Sequence, residues 1–253
     1  MDVRFTSMNY SRTNWFVKTA VLSILAAGVF GACQAAAAAD IIGVITLTGT
    51  PPSETDLAPF ISDNSDCAAM YQGKKMPTTH FFVVGPKGEF ADVVVSLKDV
   101  TGKSTGAGAQ PVVLDQKDCV YTPQILAIQT GQKLLVRNSD MCIHTIDFEP
   151  TVPGNQSHSD AQMAGAADLP YTFPKPEMFI TFKCGVHKWM RAWVSVFDSP
   201  YFSVSGQDGK FVIKNVPPGK YTVEANHRKL GAQTQEVEVA DKDVTVNFTF
   251  AVK

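Results

Sequence analysis

From residue 40 onward the chain consists of short runs in which apolar and polar residues alternate, each cut by a turn signal. Ile42–Thr48 ends at Gly49 and the Pro51-Pro52 pair, and Val93–Lys98 follows a Gly-Pro-Lys-Gly turn at residues 85–88. Gln124–Ile128 and Lys133–Arg137 are joined through Thr130-Gly131. Gln207-Asp208-Gly209-Lys210 reads as a hairpin, because Asp-Gly supplies the positive φ angles of a tight turn. Pro217-Pro218-Gly219 is a further turn, after which Val244, Val246, Phe248 and Phe250 alternate with Thr245, Asn247 and Thr249. A period of two puts every second side chain on one face of a pleated strand, so each run is a strand with one buried face. Only Ser62–Tyr71 and Ser159–Ala167 read as short helices. The predicted fold class is all-β, with sandwich architecture.

Charge narrows the function classes. Charged residues make up 18% of the chain and the formal charge is −2, so no basic surface for nucleic acid is expected. The one long apolar stretch is N-terminal and reads as a signal peptide over residues 1–39. Arg4, Arg12 and Lys18 form its basic region, Ala20–Ala32 its apolar region, and Ala35–Ala39 the small residues before cleavage at Asp40. Two other readings are a retained membrane anchor and lipidation of Cys33 within Gly31-Ala32-Cys33. Cleavage leaves 214 of the 253 residues and, by removing three cations and Asp2, moves the charge from −2 to −4. The mature chain then has no membrane span. Its cysteines are Cys67, Cys119, Cys142 and Cys184, in a compartment where disulfides persist.

Two breaks in composition divide the chain. Thr101–Gln110, rich in Gly, Ser, Thr and Ala, reads as a linker or loose loop, and Asp198-Ser199-Pro200 ends a strand. The expected parts are 40–105, 106–198 and 199–253. The outer two are each marginal alone and are expected to pair into one discontinuous sandwich.

The sharpest chemical signal is Cys184-Gly185-Val186-His187-Lys188-Trp189-Met190, with His144 forty residues upstream. A thiolate, two imidazoles and a thioether form a soft donor set suited to copper in either oxidation state. Zinc is the rival metal, but would more naturally be held by two Cys pairs or by His and carboxylate ligands without Met. Strand parity supports a shared site: Met178, Ile180, Phe182 and Cys184 fall on one face, as do Met190, Ala192, Val194 and Val196, and Cys142, His144, Ile146 and Phe148. All three sets are expected to point inward.

These residues resemble the cupredoxin family of blue copper proteins, over roughly residues 111–198. The order Val112–Pro123, Gln124–Arg137 and Asn138-Ser139-Asp140 before His144 is similar to the family's run-up to its first ligand, and the Cys-x-x-His-x-x-Met spacing is that of amicyanin. The resemblance implies a Greek-key sandwich with His144, Cys184 and His187 around one copper ion and Met190 as weak axial ligand. Asn138, Cys142 and Thr145 would lie just behind the ligands. Thr145 stands where many members carry Asn, which implies a looser ligand loop. His187 would lie towards the surface, with Trp189 as the electron port. The whole chain also resembles bacterial proteins labelled methylamine utilization proteins, which join a cupredoxin to a transthyretin-like, carboxypeptidase-regulatory-like sandwich. Gly206–Phe211 and Asn215–Tyr221 carry that likeness, with Gly43–Leu47 and Val93–Leu97 as opening strands.

The remaining residues leave alternatives open. Cys67–Cys119 is one possible disulfide. Cys142 is a buried thiol beside the metal, a fifth ligand or loading thiol, or a disulfide partner. His227 reads as a surface or strand-edge residue rather than a ligand. The expected function is a periplasmic, non-enzymatic electron carrier serving a cytochrome- or dehydrogenase-type redox protein. The alternatives are copper storage or delivery, motivated by Cys142, Met141 and Met163, and a glycan- or protein-binding module, for which no cluster of exposed aromatics is legible.

Overall fold

The computed structural model describes residues 38–252. The expected signal segment, including Cys33, lies outside the described residues except for its last two alanines. No helix among the described residues is long and apolar enough to cross a membrane. The chain is all-β. Strands β1 (Ala39–Thr48) and β2 (Val94–Leu97) flank two short helices, α1 (Ala58–Ser62) and α2 (Ser65–Met70). A block of nine strands follows: β3 (Val112–Lys117), β4 (Val120–Thr122), β5 (Ile125–Gln129), β6 (Leu134–Asn138), β7 (His144–Phe148), β8 (His158–Gln162), β9 (Leu169–Tyr171), β10 (Glu177–Lys183) and β11 (Arg191–Phe197). The chain ends with β12 (Phe202–Val204), β13 (Lys210–Val216), β14 (Gly219–His227), β15 (Gly231–Val239), β16 (Val244–Thr245) and β17 (Phe248–Ala251).

The nine-strand block makes an inner sandwich of two sheets, ordered β5-β11-β10-β7-β8 and β4-β3-β6-β9. Its core is aromatic: Phe148 stacks on Phe182 at 4.4 Å and meets Tyr171 edge-on at 5.0 Å. The outer sandwich joins β13-β1-β16, with β17 also on β1, to β12-β2-β14-β15. It therefore draws strands from both ends of the chain, and its separate core includes Ile41, Ile45, Phe90, Val95, Phe211, Phe248 and Phe250. Neither end brings enough apolar surface to close a sandwich alone, which is why the two combine.

Several local expectations are corrected. The Gln207–Lys210 turn forms, with Gly209 at φ +71°, but β12 pairs with β2 and β13 with β1, so it is a corner between sheets rather than a hairpin. A Cβ on Gly209 would sit 2.4 Å from the Ile45 carbonyl, so only glycine fits. Ser159–Ala167 is not helical; its first part belongs to edge strand β8, paired to β7, and only Gln162 there is buried, which hid the period-two signal. Ser62–Tyr71 splits into α1 and α2 around Asp63-Asn64. The run from Val244 to Phe250 breaks into β16 and β17. Thr101–Gln110 is not loose, because Gly102 and Lys103 donate backbone N–H groups to Asp198, pinning both crossings between the sandwiches together. Within the expected outer segment 40–105, Leu57, Ile61, Cys67 and Tyr71 pack into the inner core instead. The α1–α2 segment is thus a cap on the inner sandwich.

Candidate metal centre

His144 opens β7, Cys184 follows β10, and Met190 precedes β11. The pairing of β10 with both β7 and β11 brings these strand ends together. Cys142, His144, Ile146 and Phe148 are buried, as are Met190, Ala192, Val194 and Val196. Ile180, Phe182 and Cys184 also face inward, but Met178 does not. A bulge between Glu177 and Ile180, with Phe179 at φ +55°, flips the parity so that Glu177 is buried and Met178 is 36% exposed. The Glu177 carboxylate is then satisfied by Thr151, Val152 and Asn155.

Three donors converge. His144 Nδ1 lies 2.9 Å from His187 Nδ1, and each is 3.8 Å from Cys184 Sγ. The sulfur accepts the backbone N–H groups of Thr145 at 3.3 Å and His187 at 3.4 Å. Burial pushes the Cys184 thiol up, but the hydrogen bonds of His144, His187 and these amides outweigh it and bring it from 9.0 to about 5. Cys184 is therefore a thiolate at neutral pH. Met190 is buried beside the trio, donating its N–H to the His187 carbonyl at 2.9 Å and accepting the Cys184 N–H at 3.4 Å.

Second contacts fix the ligands. Asp140 Oδ2 accepts from His144 Nε2 at 2.9 Å, which turns Nδ1 towards the sulfur. Asp140 is itself held by the N–H groups of Asp118 and Cys119. Burial lowers and this carboxylate raises the His144 pKa, with Cys184 adding to the rise, and the outcome is about 8. Asn138 accepts from the Asp140 N–H and donates to the Cys142 and Gln162 carbonyls. Thr145 ties the loop firmly: its hydroxyl accepts the Gly185 N–H at 2.6 Å and donates to Asp147 at 2.8 Å. A Cβ on Gly185 would lie 3.0 Å from that hydroxyl, so the close approach needs glycine. Tyr121 lies 3.3 Å from the Thr145 carbonyl and 3.2 Å from that of Lys183, bridging the two ligand strands.

The expectation that His187 faces the surface is corrected. It is 2% exposed, and its Nε2 lies 3.3 Å from Asn64 Nδ2 in the cap. Asn64 also caps α2 by accepting the Cys67 N–H. The cap is fastened by a Cys67–Cys119 disulfide and by Tyr71, which donates to the Asp118 carbonyl at 2.6 Å. Trp189 is half-buried, 5.1 Å from the His187 ring, and donates its indole N–H to the Cys119 carbonyl. It lines a groove of about 220 Å³ with Phe60, Phe81 and Trp193, rimmed by Lys188 and Arg191. This is the aromatic cluster the sequence did not disclose, because its members come from three distant segments. Cys142 is a free thiol 3.6 Å from His144 Nε2, which burial and the carboxylates of Asp140 and Asp66 push up to about 11. Asp140, Asn64 and Tyr121 were missed; only the position of Asp140 four residues before His144 offered a signal.

Buried, charge-poor surroundings, one thiolate and two oriented imidazoles fit a transition metal of soft or borderline character, with no carboxylate among the three donors. Residues 201–253 match a family described as BOS complex subunit NOMO1-like, second beta sandwich domain. A search of curated proteins returns no match. Among solved structures, a copper-containing nitrite reductase from Thermus scotoductus SA-01 is 20% identical, with TM-score 0.31, over 35% of this chain and 22% of its own. An alanine mutant of amicyanin in the Cu(I) form is 19% identical, with TM-score 0.31, over 40% of this chain and 97% of its own.

Proposed function

We propose that this chain is an exported, periplasmic type 1 copper protein that carries single electrons and is not an enzyme. The observation that carries the reading is the convergence of His144 Nδ1, His187 Nδ1 and a Cys184 thiolate in one dry pocket. Copper held there would supply one-electron cycling between Cu(II) and Cu(I). His144, His187 and Cys184 would hold it, with the Met190 thioether as a further soft donor. Amide donation to the sulfur, Asp140 on His144 and Asn64 on His187 hold the ligands so that little moves when one electron is exchanged. Trp189 connects His187 to the aromatic groove, where a cytochrome- or dehydrogenase-type partner would dock.

The test is the visible and paramagnetic resonance spectrum of Cu(II)-loaded protein. We expect an intense blue or green thiolate charge-transfer band that Cys184→Ala abolishes. A colourless complex, or a band that survives in Cys184→Ala, overturns the reading. Copper storage or delivery is the second reading, favoured by the Cys142 thiol next to His144. It predicts fast Cu(I) transfer to a competing apo-protein, whereas an electron carrier retains its metal through repeated redox cycles.

A further inference from the structure

Behind the three convergent donors lies a second group of sulfurs that the electron-transfer reading does not use. The sulfurs of Cys67, Cys119 and Cys142 and one ring nitrogen of His187 all lie within 4.8 Å of one another. Met70 adds a thioether, its Sδ 4.0 Å from Cys119 Sγ. All three cysteines are buried. The geometry points to a second metal site, selective for Cu(I), that opens when the Cys67–Cys119 disulfide is reduced. It deepens the copper reading above in that copper is the metal it takes, but its three thiols are not donors of the first site.

Each sulfur is positioned without help from the S–S bond. Cys67 is fixed by its N–H on the Asn64 cap of α2. Cys119 is held from both sides, its N–H on Asp140 Oδ2 and its carbonyl on the Trp189 indole. The Cys142 carbonyl accepts from Asn138 Nδ2 at 2.9 Å. Around them Leu57, Ile61 and Tyr71 keep the cap on the inner core through apolar contact. Breaking the disulfide therefore leaves three thiols facing one point. Thiolates and thioethers select Cu(I), and a site of sulfur alone offers nothing to hard cations. Asp140, the nearest carboxylate, is already taken by His144 and two backbone amides.

The chemistry balances with an external dithiol as reductant. The dithiol forms its own S–S bond, the Cys67–Cys119 bond breaks, and two protons pass to the freed thiols. Cu(I) then binds the sulfurs and displaces thiol protons to solvent, with no change in copper oxidation state. His187, whose ring belongs to both donor groups, lies between the two sites and gives Cu(I) a path of ligand exchange from one to the other. The disulfide thus acts as the gate of a loading position: oxidised, it withholds two of the three sulfurs.

The experiment counts Cu(I) bound per chain in competition with a coloured Cu(I) chelator. Ascorbate alone keeps copper reduced and spares the disulfide; a phosphine reductant opens it. Wild type is expected to hold one Cu(I) with ascorbate and two after phosphine reduction, with circular dichroism showing the fold retained. Cys142→Ser, left with two thiols and the Met70 thioether, should hold its second Cu(I) more weakly than reduced wild type. Cys184→Ser, which lacks the first site, should go from none to one. Because reduction can unfold a chain, Cys67→Ser gives a separate check: Cys119, Cys142 and Met70 should take up a second, weaker Cu(I) under ascorbate alone. No added Cu(I) in reduced wild type, or a second Cu(I) held as tightly in Cys142→Ser as in wild type, overturns the proposal. Absence of copper and colour in the oxidised wild type would instead count against the first site, so the two failures are distinguishable.

Discussion

His144 and His227 lie on strands of two different sandwiches, and both are buried to 1% exposure or less. Their surroundings drive them in opposite directions. His144 has Asp140 on Nε2 and the Cys184 thiolate near Nδ1, and its pKa rises to about 8 despite burial. His227 is packed between the rings of Phe82 and Phe90, its Nε2 donates to the Phe81 carbonyl, and its Nδ1 accepts the Lys229 N–H. Burial, with Arg228 and Lys229 adding to it, takes that pKa down to about 4. Both nitrogens of His227 are thus spent on the backbone, and it is a core residue rather than the surface or strand-edge histidine expected from sequence. His144 and His187 instead each keep one nitrogen, Nδ1, off the backbone and turned to the Cys184 sulfur.

The sharpest way to break this contrast is to remove each ring. His144→Ala should open a ligand position to water, weaken the blue band and cost more than 100-fold in Cu(II) affinity, since even changes one shell further out cost 10–100-fold. His227→Ala should leave the band unchanged while destabilising the outer sandwich. Cu(II) titration followed by visible absorption checks both. A His227→Ala protein with altered colour would erase the distinction.

Acid acts on the two sandwiches differently. The folded pKa of His227 lies below the unfolded value, so its contribution to stability is whole above about pH 6.5 and falls as pH drops towards 4. The size is roughly 3 kcal/mol over that window, from about 1.4 kcal/mol per pKa unit. Thermal melts of wild type and His227→Phe from pH 7 to 4 measure it: the variant should show the shallower slope. Equal slopes would mean that the ring is not held neutral.

Asp140→Asn probes the anchor on the other histidine. The amide has one oxygen where the carboxylate has two, so it can keep the N–H group of Asp118 or that of Cys119 but not both, and it no longer balances charge on His144. Copper affinity should fall 10–100-fold with the colour retained, because the three donors stay in place. Unchanged affinity would show that Asp140 does not orient the ligand.

The contrast also marks what the sequence could carry. The strands and the inward parity of Cys184, His144 and Met190 follow from local alternation and turn chemistry, and these were legible. The bulge that turns Met178 outward was not, because it inserts one residue without changing composition. Nor was the cap: Leu57, Ile61 and Tyr71 have no period long enough to reveal a partner, and only tertiary packing assigns them to the inner core. With the cap came Asn64 over His187 and the groove beside Trp189, so the way into the site was the part least visible beforehand.

The smallest expected effect belongs to Met190. It is buried beside the three donors and held by reciprocal backbone bonds around the loop, so Met190→Leu conserves volume and should cost less than about 1.5 kcal/mol of stability. Losing a weak thioether removes a donor that favours Cu(II) more than Cu(I), so the oxidised form is destabilised and the reduction potential rises. The colour should survive, because it arises at the Cys184 sulfur and His144 and His187 remain. Protein-film voltammetry of the variant against wild type checks the shift, with the visible spectrum as control. If Met190→Leu instead abolishes copper binding while His144→Ala keeps it, the ligand roles are wrongly divided. Cys142, 3.6 Å from His144 Nε2, then becomes the sulfur to test in its place.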